Sequence, residues 1–471
     1  MTVLVRFAEC VLHHGLRVDP LGTIRDAQSS TVTIPVFHPV DGTSMQSGKY
    51  SSVAQFLCIA FLVLASGTTS CIGVWLGPQL LKPYGEDPHH SDPGIMGAMA
   101  SWDGYWYREI AIHGYSYNGV SQSSIAFYPA FPILAREIRN VLHVDINVAL
   151  WLGSNLSLCV GAYCFNEYMK SKLEARSRRC GLLSLLFLPW CLFFHMAYSE
   201  SLLFCLISLS ILGMQRRWHP IVIAITVGSA TATRAVGVAL LPPLAFYVWT
   251  WLRDIRRTTA PGVLVGPQDH LFSRNGYPRY YVRCFRLIVY LCIGCWGLLS
   301  FIIYQYVILK SAFAFVEVQG TWHQRDASGV KECLVGFLIL EPIHATYSST
   351  SLCWWRLSPP QSLPLLNMTF MNPIIFIGTC MLVVLGARKR WLNRTELLLA
   401  IGLLTIPYCA QSCRLCMVSE ARFASVVAPA YLVAGRLLSC LPTLILVYLC
   451  VLSAVGMTIY SAMFSCGYPV L

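Results

Sequence analysis

Apolar runs long enough to cross a bilayer are the feature that most limits how this chain can fold, and the first occupies residues 51–77. A helix of about 20 apolar residues spans the hydrocarbon of a membrane. Further runs recur along the 471-residue chain, and the last covers 441–464. Only 12% of the residues are charged, against roughly 25% in soluble domains. The pattern predicts an all-α polytopic membrane protein with about eleven transmembrane helices.

Polar segments divide the chain into a tail and a membrane domain with two large loops. Residues 1–50 are mixed and polar without a helical period, which predicts a disordered N-terminal tail. The membrane domain then covers 51–471, with a first loop at 78–124 and a second at 310–372. Both loops carry Trp and Tyr, which favour the membrane–water interface. The 20 cysteines lie mostly in apolar segments and predict no disulfide framework.

The net charge of +12 comes from Lys and Arg in short links between apolar runs. Such links remain on the cytoplasmic side of a membrane. With the amino terminus inside, alternating spans place these basic segments inside: 169–179, 215–219, 253–286, 388–394 and Arg436. The same alternation places both aromatic loops outside, together with Asn367, the glycosylation sequon that suits that side. The charge therefore reflects membrane orientation, and it predicts no nucleic-acid partner.

Charged residues in or near apolar spans are costly, so we treat them as functional candidates. They fall in five places on the predicted outer face: Asp103; Glu200; Arg234; the stretch with Trp322, His323 and Arg325; and Glu420 with Arg422. Arginine binds phosphate oxygens through paired hydrogen bonds, and a carboxylate can take a proton from an attacking hydroxyl. If these residues converge on one cavity, the cavity suits a lipid-phosphate substrate.

Each candidate also has a structural alternative. Asp103 could be only the N-terminal cap of a membrane-surface helix. Glu200, Arg234 and Arg422 could form interhelical ion pairs that only hold the bundle together. No Walker loop or dinucleotide fingerprint is present, so no cofactor is predicted with certainty, and a divalent cation is left open. A transporter or lipid flippase is the rival class, although the chain lacks the internal repeats that transporters often carry.

Five motifs in order carry a resemblance to a known family. The stretch WDGYWYREIAIHGY, followed by AFYPAFP, resembles the first-loop signature of the PIG-V-like mannosyltransferases. That family includes the enzyme that adds the second mannose to the GPI anchor, and it has prokaryotic relatives. AYSESLLF, TATRAVGVALLP, FAFVEVQGTWHQR and SEARFASVVAPAYL resemble later family motifs, and the likeness covers roughly residues 55–440. Two positions depart from the family pattern, with Ser199 in place of Thr and Phe423 in place of Tyr.

The resemblance implies a multi-pass membrane glycosyltransferase of the GT-C class, a helical bundle with aromatic extracytoplasmic loops. Its donor would be a polyprenyl-phosphate sugar, commonly dolichyl-phosphate mannose. Its acceptor would be lipid-linked or a glycan, on the extracytoplasmic or lumenal face of a bacterial plasma membrane or an endoplasmic reticulum membrane. Asp103 would be the catalytic carboxylate. The motifs assign substrate-binding roles to Trp102, Tyr107, His113, Glu200, Arg234, Trp322, His323, Arg325 and Arg422.

Overall fold

The computed structural model describes residues 42–84, 94–117, 122–258, 277–322, 335–336, 338–361, 363–410 and 417–470, and within them it contains helices and no strand. The α-helices are α1 Gly42–Leu80, α2 Ile95–Met99, α3 Asp103–His113, α4 Ala130–Leu142, α5 Ile146–Lys170, α6 Ala175–Phe187, α7 Glu200–Gln215, α8 Pro220–Thr231, α9 Leu241–Thr258, α10 Tyr277–Gly294, α11 Trp296–Leu309, α12 Ala314–Glu317, α13 Glu341–Tyr347, α14 Met368–Arg388, α15 Arg394–Ala410, α16 Glu420–Ser425, α17 Ala428–Ser439 and α18 Thr443–Ser465. Short 3₁₀ helices lie at Ser124–Ala126, Pro189–Phe194, Ala235–Leu240, Val318–Trp322, Trp355–Leu357 and Pro364–Leu366. The prediction of an all-α chain is confirmed for these residues. Helix α1 begins inside the predicted tail 1–50, of which residues 1–41 lie outside the described part.

Five helical segments are long and apolar enough to cross a membrane: Ser52–Leu80, Ile146–Lys170, Ala235–Asp254, Met368–Arg388 and Thr443–Ser465. A sixth span is possible if α10 and α11 count as one, and these two helices meet at a bend of 62°. The sequence predicts a single span there. The prediction of about eleven transmembrane helices is not confirmed by the described residues.

Several runs that look like spans form shorter helices instead. Helix α7 has 16 residues, which gives a length of about 24 Å at the usual rise per residue. Helix α6 ends at Phe187, just before Pro189, and a 3₁₀ helix follows, because proline cannot continue the backbone hydrogen bonding of an α-helix. The core side chains of α7, among them Leu203 and Ile207, are buried by neighbouring helices. Apolar composition alone does not separate such buried helices from spans.

Glycines permit close contact between helices. Helices α1 and α18 pack along their length, and Gly73 and Gly77 of α1 lie in that contact. A Cβ atom on Gly73 would meet the carbonyl oxygen of Thr458, and one on Gly77 would meet the hydroxyl of Ser465. Two small residues four positions apart let helix backbones approach each other. The first and last membrane helices are held together in this way.

The basic links meet at one end of the bundle. Arg436 donates a hydrogen bond to the carbonyl oxygen of Lys172 at 3.0 Å, and Lys172 lies 2.9 Å from Glu396. Arg217, just after α7, pairs with Asp254 of α9 at 2.9 Å. Arg217 follows the end of α7 opposite the candidate residue Glu200, and Arg436 lies in the last turn of α17, which begins six residues after Arg422. The predicted separation of basic links from candidate residues therefore agrees with the geometry, and the side of the membrane stays a prediction.

The second loop packs against the start of α14. The predicted glycosylation residue Asn367 is fully buried. Its Nδ2 donates to the carbonyl oxygens of Trp355 and Ser358 at 3.0 and 2.6 Å, and its Oδ1 accepts from the backbone of Phe370 at 3.0 Å. Asn367 is thus a helix cap, and the folded loop does not present its amide to a modifying enzyme. Cys353 of this loop is disulfide-bonded, although the sequence predicts no disulfide framework.

Candidate active site

The turn before α3 sets the position of Asp103. Trp102 has a φ of 59°, a positive value that is uncommon for a non-glycine residue. The Tyr198 hydroxyl donates to the carbonyl oxygen of Ser101 at 3.3 Å, which fixes the same turn. Asp103 is the first residue of α3, and its carboxylate accepts from Arg422. The capping alternative for Asp103 therefore does not describe this helix, whose cap position holds Trp102.

Two carboxylates and two arginines form one alternating chain, which we call the charge network. The Oδ2 atom of Asp103 accepts a hydrogen bond from Nη1 of Arg422 at 2.6 Å. The Nε atom of Arg422 lies 2.9 Å from Oε1 of Glu200. The same Oε1 atom pairs with Nη1 of Arg234. The order is Asp103, Arg422, Glu200 and Arg234, and two positive and two negative formal charges sum to zero.

Burial differs along the charge network. The side chain of Glu200 is 1% exposed and that of Arg422 is 7% exposed, while Arg234 and Asp103 reach 12% and 17%. Charges this deep are tolerated only when paired. Burial alone would lower the pKa of Arg422, but the nearby Asp103 and Glu200 outweigh it and raise the pKa, so the guanidinium stays charged. The network is therefore ionic and partly shielded from water.

Aromatic rings support both guanidinium groups. The ring of Phe423 lies 5.1 Å from Cζ of Arg234 and 5.4 Å from Cζ of Arg422. Tyr198 lies 5.3 Å from Cζ of Arg422. Such contacts attract a cation to the ring face. The sequence analysis assigned no role to Phe423 or Tyr198. Each lies in the same motif as a charged candidate, Arg422 or Glu200, and this position in the motif could have indicated a role.

Tyr107 joins the site through a residue that the sequence reasoning did not assign. Its hydroxyl lies 2.7 Å from Oγ of Ser199, and Nη1 of Arg234 donates to the same Oγ at 3.4 Å. Burial raises the pKa of the Tyr107 phenol, so the group is a neutral hydrogen-bonding partner. Ser199 thereby links α3 to Arg234, and it stands where the family resemblance expects Thr.

A cavity of about 580 Å³ lies beside the charge network, a size typical of ligand sites. Asp103, Arg234 and Arg422 line it together with Trp102 and Tyr107. The remaining wall is largely apolar and includes Val236, Phe315, Val316, Ile406, Pro407 and Ala410. The cavity therefore combines a charged end with an apolar wall, and it suits a ligand of the same two-part character.

Among the other predicted residues whose side chains the structure describes, His113 does not join this group. His113 lies at the far end of α3, its side chain is 70% exposed, and its nearest carboxylate is Glu109 at 4.0 Å. Trp322 ends the 3₁₀ helix Val318–Trp322, and His323 and Arg325 lie outside the described residues. From the motif that contains Trp322, Gln319 lines the cavity together with Phe315 and Val316. Gln319 belongs to the motif FAFVEVQGTWHQR, and the sequence analysis assigned no role to it.

Neither Glu200 nor Glu420 lines the cavity, although both were candidates from the sequence. Glu200 is placed in the charge network but does not line the cavity. Glu420 is 1% exposed and also lies away from the lining, although Arg422 is two residues along. Its Oε1 has no hydrogen-bond partner among the described residues, and burial raises the pKa of this carboxyl to about 8. Glu420 is thus a neutral group at neutral pH, behind the site.

Metal ligands do not cluster in the described residues. No group of three or more His, Cys, Asp or Glu side chains there could hold an ion. The carboxylates of Asp103 and Glu200 pair with arginines.

Comparisons with known proteins give likeness at the level of structure only. No family model and no curated protein sequence matches the chain. Crystal structures of the oligosaccharyltransferase of Archaeoglobus fulgidus are similar to it. One, tethered to an acceptor peptide containing the NVT sequon, has a TM-score of 0.41 at 11% identity. The match covers 87% of this chain and 55% of the oligosaccharyltransferase chain. A second, in complex with Zn and sulfate, has a TM-score of 0.40 at 12% identity, with coverage of 87% and 53%. A third structure, of this archaeal enzyme AglB with an inhibitory peptide and a dolichol-phosphate, has a TM-score of 0.41 at 11% identity, with coverage of 90% and 56%. The chain spans about half the length of these proteins.

Proposed function

We propose that this chain is a membrane glycosyltransferase that moves a sugar, with mannose as the first candidate, from a polyprenyl-phosphate donor to a lipid-linked or glycan acceptor. The observation that carries the proposal is the convergence of Asp103, Glu200, Arg234 and Arg422 on one site. They come from four distant segments, each within a motif that resembles the PIG-V-like mannosyltransferases. The charged end of the cavity suits the donor phosphate, and the apolar wall suits its lipid chain.

The chemistry needs one base and a way to stabilise the leaving group. The acceptor oxygen forms a bond to the anomeric carbon while the bond from that carbon to the phosphate oxygen breaks. The electron pair leaves with the polyprenyl phosphate, and Asp103 takes the proton of the acceptor hydroxyl. Arg422 and Arg234 stabilise the charge that develops on the phosphate. No general acid is needed, because a phosphate monoester is already a good leaving group.

The proposed side of action is extracytoplasmic or lumenal. The candidate site and the basic links lie at opposite ends of the helices, and basic links favour the cytoplasm. The disulfide at Cys353 supports the same orientation, since disulfides persist in oxidising compartments. Donor, acceptor and Asp103 would then share one side of the membrane.

The first test is transfer itself. Protein purified in detergent is incubated with labelled polyprenyl-phosphate mannose and candidate acceptors. Asp103→Asn should lower turnover by about 10²–10⁴-fold, the usual worth of a general base. Glu109→Gln is the control, because Glu109 lies on the same helix but not on the cavity. Near-normal transfer by Asp103→Asn contradicts the assignment of the base. Movement of unmodified donor lipid across vesicles, without product, would favour the flippase alternative.

A further inference from the structure

The hydrogen bonds of Arg422 limit how the site can accept a phosphate. A guanidinium binds an oxyanion through a pair of parallel N–H groups, either Nε with Nη2 or Nη1 with Nη2. In Arg422, Nη1 donates to Asp103 at 2.6 Å, and Nε lies 2.9 Å from Glu200. Nη1 carries a second N–H, and Nε has no hydrogen-bond partner among the described residues, so its contact with Glu200 is an ion pair only. Asp103 both accepts a hydrogen bond from Arg422 and lines the cavity, so a phosphate that binds Arg422 from the cavity competes with Asp103.

Asp103 is the carboxylate that can leave. Glu200 is 1% exposed, and its Oε1 contacts both Arg234 and Arg422. Its departure would leave Arg234 without a paired carboxylate among the described residues and remove one of the two that pair with Arg422, which is strongly unfavourable. Asp103 is 17% exposed, lies on the cavity wall and pairs with Arg422. An incoming anion that replaces Asp103 gives Arg422 a new negative partner, so the buried guanidinium remains paired.

We infer that the phosphate of the ligand displaces Asp103 from Arg422, and that phosphate binding thereby frees the catalytic carboxylate. This inference rests on the proposed function. A carboxylate has two oxygens, and the pairing with Arg422 holds Oδ2 of Asp103 away from the proton of an acceptor hydroxyl. Exchange at Arg422 turns the ion-paired Asp103 into a free base only when the leaving group is in place. Glu200 is the positioning residue that holds Arg422 during the exchange.

The inference predicts that Asp103 competes with the ligand. Asp103→Asn should therefore bind phosphate more tightly than the wild-type protein, by about tenfold, the order expected for one charge-assisted hydrogen bond. Binding is measured by titrating purified protein with a polyprenyl phosphate and, separately, with inorganic phosphate. The two titrations distinguish a lipid headgroup from free phosphate. Glu109→Gln is the control for loss of a negative charge from the same helix.

The outcomes separate this inference from the proposed function. Tighter binding by Asp103→Asn but not by Glu109→Gln supports the exchange. Equal or weaker binding by Asp103→Asn, in a protein of unchanged thermal stability, overturns the exchange and leaves the glycosyltransferase proposal standing. If no variant binds either phosphate, both proposals fail. Asp103→Ser serves as the second variant should the asparagine protein not fold, with the same expected direction.

Discussion

At the scale of single residues, the geometry of the two arginines predicts which substitutions fail. Arg422 and Arg234 each make contacts that depend on a planar group with several donors. Lysine keeps the charge but lacks that geometry. We expect Arg422→Lys and Arg234→Lys to raise the donor KM by about tenfold or more, with a smaller effect on turnover at saturating donor. Steady-state transfer assays at varied donor concentration measure this.

The alternative for these arginines is a purely structural role in the bundle. Under that alternative the lysine variants lose thermal stability, while the protein that remains folded keeps its donor KM. Arg253→Lys is a suitable control, because that side chain is 55% exposed and lies at the other end of the bundle. A shift in melting temperature without a shift in donor KM would therefore count against phosphate binding by Arg234 and Arg422.

At the scale of one element, helix α16 is expected to make the stability of the protein depend on pH. Glu420 on this helix is buried, and burial raises the pKa of its carboxyl to about 8 from 4.5. The folded protein therefore keeps a proton that the unfolded chain releases at lower pH. The contribution to stability is complete below the unfolded pKa and is lost as pH rises through the folded pKa.

We expect the melting temperature of the wild-type protein to fall by several degrees between about pH 5 and about pH 8 because of this group. Glu420→Gln carries a permanently neutral side chain and should reduce that slope. Glu137→Gln, at an exposed position of α4, should leave it unchanged. Thermal unfolding in detergent at a series of pH values gives the three slopes. Equal slopes for wild type and Glu420→Gln would show that Glu420 is already ionised in the folded protein.

At the scale of the whole molecule, the two ends of the bundle predict opposite exposure. Gly94 precedes α2 at the end that carries the candidate site, and Lys389 follows α14 at the end of the basic links. Both positions are exposed. A protease site inserted near Gly94 should be cut from the extracytoplasmic or lumenal side. One inserted near Lys389 should be cut only after protease gains access to the cytoplasmic side. The reverse pattern would move Asp103 to the cytosol and remove the lipid-donor mechanism.

Much of this protein follows from local sequence. Long apolar runs with few charges predict membrane helices, because the bilayer sets the length of the element and excludes charge. The same exclusion makes Asp103, Glu200, Arg234 and Arg422 conspicuous among apolar neighbours, so their choice as candidates did not need the fold. The basic links likewise follow from composition. These properties depend on residues close together in the chain and on the surrounding solvent.

Only the tertiary structure decided which residues meet. The count of about eleven spans is not confirmed by the described residues, because a short apolar helix such as α7 is buried by other helices, and periodicity does not tell such a helix from a span. Glu420 and Arg422 are two residues apart, yet about 200° around a helix separates their directions, so one reaches the cavity and the other does not. The pairing of Arg422 with Asp103, and the contact of Phe423 with Arg234, join segments more than a hundred residues apart. Such partners are set by the packing of the whole bundle, and no local pattern encodes them.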